Sequence, residues 1–167
     1  YIGNGHKPES VARWWHETVS ILPDTEEVLS IICADANAPL GNSGSCHIGD
    51  CGGEPVNDAT ACFEDAIHAM QWWVPSTFQD CHQGPSWTWT HPRGHRLRRD
   101  YILLPLQFRT WEVQSWTLQD HDTTFAHEDH IPVALRIQGM MAAQRTTDGP
   151  KDSPKIGWDK QALRDPI

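Results

Sequence analysis

The pattern of apolar and polar positions predicts two helices in the first half of the chain. The first is predicted over residues 9–22, with Ser10 as its N-cap, and the second over residues 57–71. In each segment the apolar residues recur at helical spacing. These residues are Val11, Trp14, Trp15, Ile21 and Leu22 in the first helix, and Ala61, Cys62, Ala66, Ile67 and Met70 in the second. Both tryptophans are expected to pack in the core.

The other apolar segments are short, rich in β-branched or aromatic residues, and bounded by turn-forming residues, which predicts strands. A buried strand built on Val28, Leu29, Ile31 and Ile32 is expected to end at Asp35. Further strands are predicted over residues 72–78, 86–91, 97–104, 111–118 and 131–137. Gly94 is expected at a hairpin tip between two of them. The pattern therefore predicts a chain of mixed helices and strands.

Composition narrows the class of protein. The length fits one globular domain, and the net charge of −9 argues against a broad nucleic-acid-coating surface. One basic stretch stands out against that charge: His91, Arg93, His95, Arg96, Arg98 and Arg99. No segment is long and apolar enough to cross a membrane, so no membrane partner is expected. Five cysteines without paired metal spacing indicate reduced thiols and an intracellular location, with the nucleus as one option.

Polar residues with useful chemistry stand at or beside the ends of three predicted strands: Asp35, Asn37, Asp100, Asp129 and His130. Asp35 and Asn37 are two apart, so in an extended chain both would point to the same side. Each residue alone is typical of an Asx turn, a surface acid or a satisfied histidine. Together they are the residue types that metal-dependent phosphodiester hydrolysis requires, because it needs acceptors for water, oxygen ligands and a phosphate contact.

The order of these motifs resembles the endonuclease/exonuclease/phosphatase superfamily, the group of deoxyribonuclease I. The matching pieces are Asp35-Ala36-Asn37, Thr88-Trp89 before Arg99-Asp100-Tyr101-Ile102, and Asp129-His130-Ile131-Pro132-Val133. The similarity covers residues 1–138. It implies an α+β fold that is the C-terminal half of a four-layer α/β sandwich, with a mainly antiparallel or mixed sheet and helices on one face. The remaining residues 139–167 are predicted to be a flexible linker toward a downstream domain.

The resemblance also implies roles for the five residues. Asp35 would orient and activate the attacking water, and Asn37 would assist it. Asp129 would bind the metal, Mg²⁺ or alternatively Mn²⁺. His130 would contact the scissile phosphate, and Asp100 would pair with His130.

Two further aromatic residues in these motifs, Trp89 and Tyr101, are expected only to pack beside the site.

The main departure from the family pattern is at the N-terminal side. The family draws a metal-binding Glu and an Asn from an upstream half, and no part of the present sequence matches that half. An uncovered sheet face is expected in consequence. His6 lies near the place of a family active-site strand and is a candidate phosphate contact. Trp14-Trp15-His16-Glu17-Thr18 and the C-terminal segment are similar to endonuclease domains of non-LTR retrotransposon proteins, which precede a reverse transcriptase.

Three functions stay open on the sequence. The first is a magnesium-dependent DNA endonuclease of a retroelement-type protein, incomplete in these 167 residues. The second is the same chemistry on RNA, an inositol phosphate or a lipid headgroup. The third is a degenerate, catalytically inactive copy. The partners expected under the first function are DNA, the upstream half of the same domain, and a downstream domain such as reverse transcriptase.

Overall fold

The computed structural model describes residues 7–22, 30–121 and 129–139. It contains two α-helices, α1 (Pro8–Ile21) and α2 (Asp58–Ala69), and two short 3₁₀ helices, Pro75–Thr77 and Leu106–Thr110. Its strands are β1 (Ile32–Asp35), β2 (Trp72–Trp73), β3 (His82–Gln83), β4 (Trp89–Thr90), β5 (Arg96–Leu97), β6 (Asp100–Pro105), β7 (Glu112–Thr117) and β8 (Val133–Gln138). The mixed content of helices and sheets confirms the α+β class.

Strand β6 lies at the centre of the first sheet, with β1 on one side and β2 on the other. Both neighbours run antiparallel to it, and the register places Ile32 opposite Leu103 and Asp35 opposite Asp100. Because side chains alternate along a strand, Tyr101 and Leu103 point to one face and Asp100 to the other. Helices α1 and α2 pack on each other and cover the face with Tyr101 and Leu103.

Helix α1 begins earlier than the sequence predicts. Lys7 is its N-cap and makes no side-chain capping bond, so the predicted cap at Ser10 is wrong. Pro8 occupies the first turn, where its fixed φ suits a helix start and its missing N–H costs nothing. Trp15 is buried and stacks on Phe63 of α2, whereas Trp14 is 37% exposed. The prediction of a buried tryptophan pair is therefore right only for Trp15.

Helix α2 begins in a capping box, in which Asn57 and Thr60 each bond the other's backbone N–H. Its buried residues are Thr60, Phe63, Ala66 and Ile67, and Met70 is buried just beyond its end. The predicted face was thus rotated slightly, because Ala61 is exposed and Cys62 is only half-buried. The core above the sheet is built on this helix face.

A second sheet has the order β3-β7-β8, in which β3 is parallel to β7 and β8 is antiparallel to it. Residues from both sheets form a second core cluster, which includes Trp73, Phe78, Leu104, Phe108 and Val113. Strands β4 and β5 form a separate hairpin, and Gly94 has a φ of 85° in its turn. The left-handed region at this residue is why glycine suits the predicted tip.

Strand β1 differs from the buried strand that the sequence predicts. Ile32 and Ala34 pack toward the helices, but Ile31, Cys33 and Asp35 are exposed on the opposite face. The segment before Pro75 is also shorter than predicted, because only Trp72–Trp73 is a strand and a 3₁₀ turn follows.

Some expectations fall outside the described residues, among them Val28, Leu29 and His6, and the linker except for Gly139. Within the described ranges, no helix is long and apolar enough to cross a bilayer.

Candidate hydrolytic site

The site is built on the face of the first sheet opposite the helices, at the Asp35–Asp100 end that the second core cluster leaves open, which is called the open face below. Asp35 is the last residue of β1 and Asp100 is the first residue of β6, and the two are partners in the antiparallel register. Their neighbours Ala34 and Tyr101 belong to the face that packs on the helices. The pleat therefore directs both carboxylates away from the helices, at the same end of the β1–β6 pair.

His130 joins the two carboxylates from a separate segment. Its Nδ1 lies 2.8 Å from Oδ2 of Asp100, with 39% of the His130 side chain and 26% of the Asp100 side chain exposed. Ligand atoms of Asp35, Asp100 and His130 all lie within 4.8 Å of one another. The predicted contact between Asp100 and His130 is therefore present in the structure. The pair leaves Nε2 of the imidazole for another partner.

Asp129 does not join this group. One of its carboxylate oxygens, Oδ2, accepts a hydrogen bond from the indole N–H of Trp89 at 3.0 Å. Asp129 is not among the residues that line the cleft with Asp35, Asp100 and His130. Its predicted place at the metal stays a prediction. The packing role predicted for Trp89 is also incomplete, because its indole makes a polar contact.

Asn37 does not have the extended backbone on which its predicted alignment with Asp35 depends. Its φ is 49°, a left-handed conformation that ends the extended backbone of β1. The rule that residues two apart share one side applies only to an extended chain, so it does not relate Asn37 to Asp35. Asn37 is half-buried and does not line the cleft beside Asp35. Tyr101, by contrast, is buried as predicted, and its hydroxyl is bonded to the backbone carbonyls of Ala38 and Arg98.

The three grouped residues line an open cleft of about 420 Å³. One wall is the open face of the first sheet, with Cys33 and Ile102, and the other is the segment Ile131-Pro132-Val133 that leads into β8. The walls are largely apolar and the charged groups are concentrated at Asp35, Asp100 and His130. Such a cleft can hold a ligand with a polar group placed at the carboxylate–imidazole cluster.

Residue Thr88, just before β4, connects the parts of this site through hydrogen bonds. Its buried hydroxyl accepts from the backbone N–H groups of Arg99 and Asp100, at 2.9 and 3.0 Å. Its carbonyl accepts from the N–H of Ile131 at 2.6 Å, next to His130. Trp89 then forms an isolated antiparallel bridge with His130.

The basic stretch divides into a buried and an exposed part. Arg98 is 2% exposed, and its guanidinium donates to the carbonyls of Ser86 and Cys51 at 2.7 and 3.0 Å. Burial lowers the pKa of Arg98, although this group stays a cation near neutral pH. Arg99 lies 3.8 Å from Glu54, whose carboxylate also accepts from the Arg98 backbone N–H. These two arginines are therefore held in the interior and do not form a surface patch.

The exposed part is the β4–β5 hairpin and its turn. Arg93, His95 and Arg96 are exposed and His91 is half-buried. The Arg96 guanidinium carbon lies 4.2 Å from the ring centroid of Trp87, which holds this cation near the hairpin surface. The hairpin is joined to the site by the Trp89–His130 bridge. A local cationic surface therefore stands beside the cleft, although the whole chain is acidic.

The donors in the cleft fit some divalent ions better than others. Asp35 and Asp100 offer carboxylate oxygens, which suit Mg²⁺, and His130 adds an imidazole, which suits Mn²⁺ or Zn²⁺ better. Nδ1 of that imidazole is already bonded to Asp100. Mg²⁺ therefore fits the two carboxylates but not the full set of three. Asp129, the ligand predicted from the sequence, lies outside the set.

The cysteines are free among the described residues. Burial, followed by the negative charge of Asp80, raises the pKa of the Cys81 thiol to about 11. A thiol with that pKa is protonated near neutral pH. Cys33 lines the cleft but stands apart from the other cysteines in sequence.

Comparisons of the chain with protein-family models, with curated proteins and with solved structures found no match.

Sequence reasoning missed two residues that organise the site, Thr88 and the indole of Trp89. The alternation Trp87-Thr88-Trp89-Thr90 gave no signal for Thr88, because it predicts the tryptophan side as the buried one, whereas the structure buries Thr88. A small polar residue on the buried side of a strand requires hydrogen-bond partners, and those partners turned out to be the backbone of the site.

Proposed function

We propose that this chain carries the catalytic carboxylate–histidine group of a metal-dependent phosphodiesterase that acts on DNA. The observation that supports the proposal most directly is the 2.8 Å contact between Asp100 and His130, with Asp35 beside them at the mouth of a cleft. Two motifs far apart in sequence supply this pair, which is what the resemblance to the endonuclease/exonuclease/phosphatase superfamily leads one to expect.

The roles follow from the hydrogen bonds. Asp100 accepts from Nδ1 of His130 and so orients the ring. In its protonated form the imidazole donates from both nitrogens, so Nε2–H is available to an oxygen of the phosphate on which negative charge develops. Asp35 is an exposed carboxylate within reach of the same space, and it accepts the proton of an attacking water or holds that water in line.

A divalent metal, when bound, would supply charge neutralisation at the phosphate. The carboxylates of Asp35 and Asp100 are the described groups best placed to hold it. The resemblance assigns a further metal ligand, a Glu, to the upstream half of the family domain. The proposed metal site therefore refers to a chain that includes that half.

DNA is proposed over smaller phosphate esters because of the β4–β5 hairpin. Arg93, His95 and Arg96 form an exposed cationic tip, and the strand that carries it is bridged to His130. A phosphate in the cleft would therefore have neighbouring phosphates of the same strand near this tip, and a mononucleotide or inositol phosphate would not. We place the protein in a retroelement-type polypeptide with reverse transcriptase on the resemblance alone.

The test is a plasmid-nicking assay with Mg²⁺ and with chelator, using the 167-residue chain and a longer chain extended upstream. We expect chelator-sensitive nicking by the longer chain and negligible nicking by the shorter one. His130→Ala should reduce the rate by about 10²–10³-fold, because one donor to the charged transition state is lost. Asp35→Asn should cause a loss of similar size, because the water loses its acceptor.

Matched controls are available on the helix side of the sheet. His16 on α1 and Asp65 on α2 are exposed and line a different pocket, so His16→Ala and Asp65→Asn should keep full activity. RNA and an inositol phosphate serve as competing substrates. Equal or faster turnover of either one would contradict the preference for DNA. Robust nicking by the 167-residue chain would contradict the need for an upstream ligand.

One observation favours the inactive alternative. One carboxylate oxygen of Asp129 is bonded to the indole of Trp89, and Asp129 is not among the three grouped residues, so an oxygen ligand that the resemblance implies is engaged elsewhere. If the longer chain shows no chelator-sensitive cleavage of any of the three substrates, the inactive alternative is the correct one.

A further inference from the structure

We propose that Thr88 is a positioning residue that sets the geometry of the Asp100–His130 pair. The inference rests on the proposed function for its meaning in catalysis, but its structural content can be tested without any activity. Asp100 and His130 are thirty positions apart in the chain, and each stands at the end of a segment bonded to Thr88.

The side chain of Thr88 controls the Asp100 side of the pair. Strand β5 ends at Leu97 and β6 begins at Asp100, so the backbone between them does not continue one hairpin ladder. Thr88 Oγ1 accepts the N–H groups of Arg99 and Asp100, at 2.9 and 3.0 Å. This one oxygen thus satisfies two amides at the start of β6, and it fixes where the Asp100 Cα enters the sheet.

The backbone of Thr88 controls the His130 side. Its carbonyl accepts from the Ile131 N–H at 2.6 Å, while the Thr90 N–H donates to the Asp129 carbonyl at 2.7 Å. The residue between these two bonds is His130, which is bridged to Trp89. Displacing Thr88 by a small distance would therefore move both partners of the 2.8 Å contact.

Burial makes this arrangement specific to a hydroxyl. Thr88 is 1% exposed, so water cannot replace its oxygen at the amides of Arg99 and Asp100. Thr88→Val keeps the shape and removes the oxygen, whereas Thr88→Ser keeps the oxygen and removes only a methyl group. The two variants separate a packing role from a positioning role.

The experiment measures the His130 ring by NMR in the full chain and its variants, alongside the nicking rate of the longer chain. In the unsubstituted protein we expect a protected Nδ1–H resonance of His130. Thr88→Ser should retain it, and Thr88→Val should lose it or broaden it beyond detection while the fold is kept. The same Thr88→Val change should lower kcat by about 10–100-fold with little change in KM, because small displacements of positioned groups are costly to rate.

An unchanged His130 resonance in Thr88→Val would overturn the proposal, and so would a resonance lost equally in Thr88→Ser. If Thr88→Val does not fold, hydrogen exchange in the unsubstituted protein decides the question. The amides of Arg99, Asp100 and Ile131 should then share one protection factor, which is the intrinsic rate of each amide divided by its observed rate, since all three bind Thr88. Three unrelated protection factors would contradict the proposal. If Thr88→Val loses the His130 resonance but the longer chain without substitutions shows no nuclease activity, the proposed function is refuted and the positioning role of Thr88 stands.

Discussion

Across the β1–β6 pair, the face toward the helices packs Ile32, Tyr101 and Leu103, whereas the opposite face carries Cys33, Asp35 and Asp100. Both faces use the same two backbones and differ only in which alternate residues they present. The helix side joins a core with Trp15, Phe63 and Ile67. On the opposite face Asp100 is bonded to His130, whereas Leu104, farther along the same strand, packs into the second core cluster. At the Asp35–Asp100 end of the pair, core packing and charged groups are therefore separated by one step along each strand.

The largest effect on stability is expected from the helix side. Phe63 is fully buried between Trp15 and Tyr101, so Phe63→Ala leaves a cavity with partners on both sides. We expect a loss of about 3–5 kcal/mol in the free energy of unfolding, measured by urea denaturation. The matched change on the open side is Cys33→Ser, an exposed residue for which we expect a change within about 0.5 kcal/mol. Equal losses for the two variants would remove the distinction between the faces.

The next largest effect is a loss of nicking activity with little change in stability. Asp100→Asn keeps the shape of the side chain but removes the charge that faces Nδ1 of His130. We expect nicking by the longer chain to fall by about tenfold to a hundredfold, because the ring loses its orienting partner. The melting temperature should stay close to that of the unsubstituted protein, since the Asp100 side chain is 26% exposed. A large loss of stability would mean that the pair is a structural element of the open face.

A smaller effect is expected at Trp89, whose indole binds the Asp129 carboxylate. Trp89→Phe keeps an aromatic ring and removes the N–H that binds Oδ2 of Asp129. If Asp129 binds metal in the active protein, its release should raise the affinity for Mn²⁺ several-fold, by at most about tenfold. This size follows because a hydrogen bond to a charged group contributes about 1.5–3 kcal/mol, the exposed contact at Asp129 lies at the low end, and binding no longer has to break it. Calorimetric titration measures the change. An unaltered affinity would exclude Asp129 as a ligand.

The sequence predicted the parts of this molecule that depend on local pattern. Both helices, the α+β class, the hairpin at Gly94 and the contact between Asp100 and His130 are present. Residues whose direction depends on a distant partner could not be placed from the sequence. The indole of Trp89, forty positions earlier, binds the Asp129 carboxylate, and the left-handed φ of Asn37, two residues after β1 ends, removes the basis for the same-side rule. Arg98 could not be assigned to the interior from sequence either, because its burial depends on the carbonyls of Ser86 and Cys51.

The smallest expected effect is a pH dependence of the free energy of unfolding. It arises from a residue of the second sheet and does not involve the candidate site. His82 on β3 is buried, with Nε2 lying 3.0 Å from the Pro85 carbonyl and Nδ1 lying 3.3 Å from the Ser115 hydroxyl. Burial lowers the pKa of His82; the bond to Pro85 opposes this effect and the charge of Arg98 adds to it. In the unfolded chain His82 is protonated below a pH of about 6.5, whereas in the folded chain its protonation requires a lower pH.

The sign of this linkage predicts full stability above that pH and a decline as the pH falls toward 5. His82→Gln keeps an N–H donor for Pro85 and cannot be protonated, so the acid-side slope of the free energy of unfolding should become shallower. One proton sets a ceiling of about 1.4 kcal/mol per pH unit, and the opposing bond to Pro85 should keep the observed change below it. Exposed His95 in the hairpin provides the control, since His95→Gln should leave the slope as it was. Urea denaturation at several pH values measures both. If the two variants changed the slope equally, the acid sensitivity would arise from general charge repulsion and not from the buried ring beside Arg98.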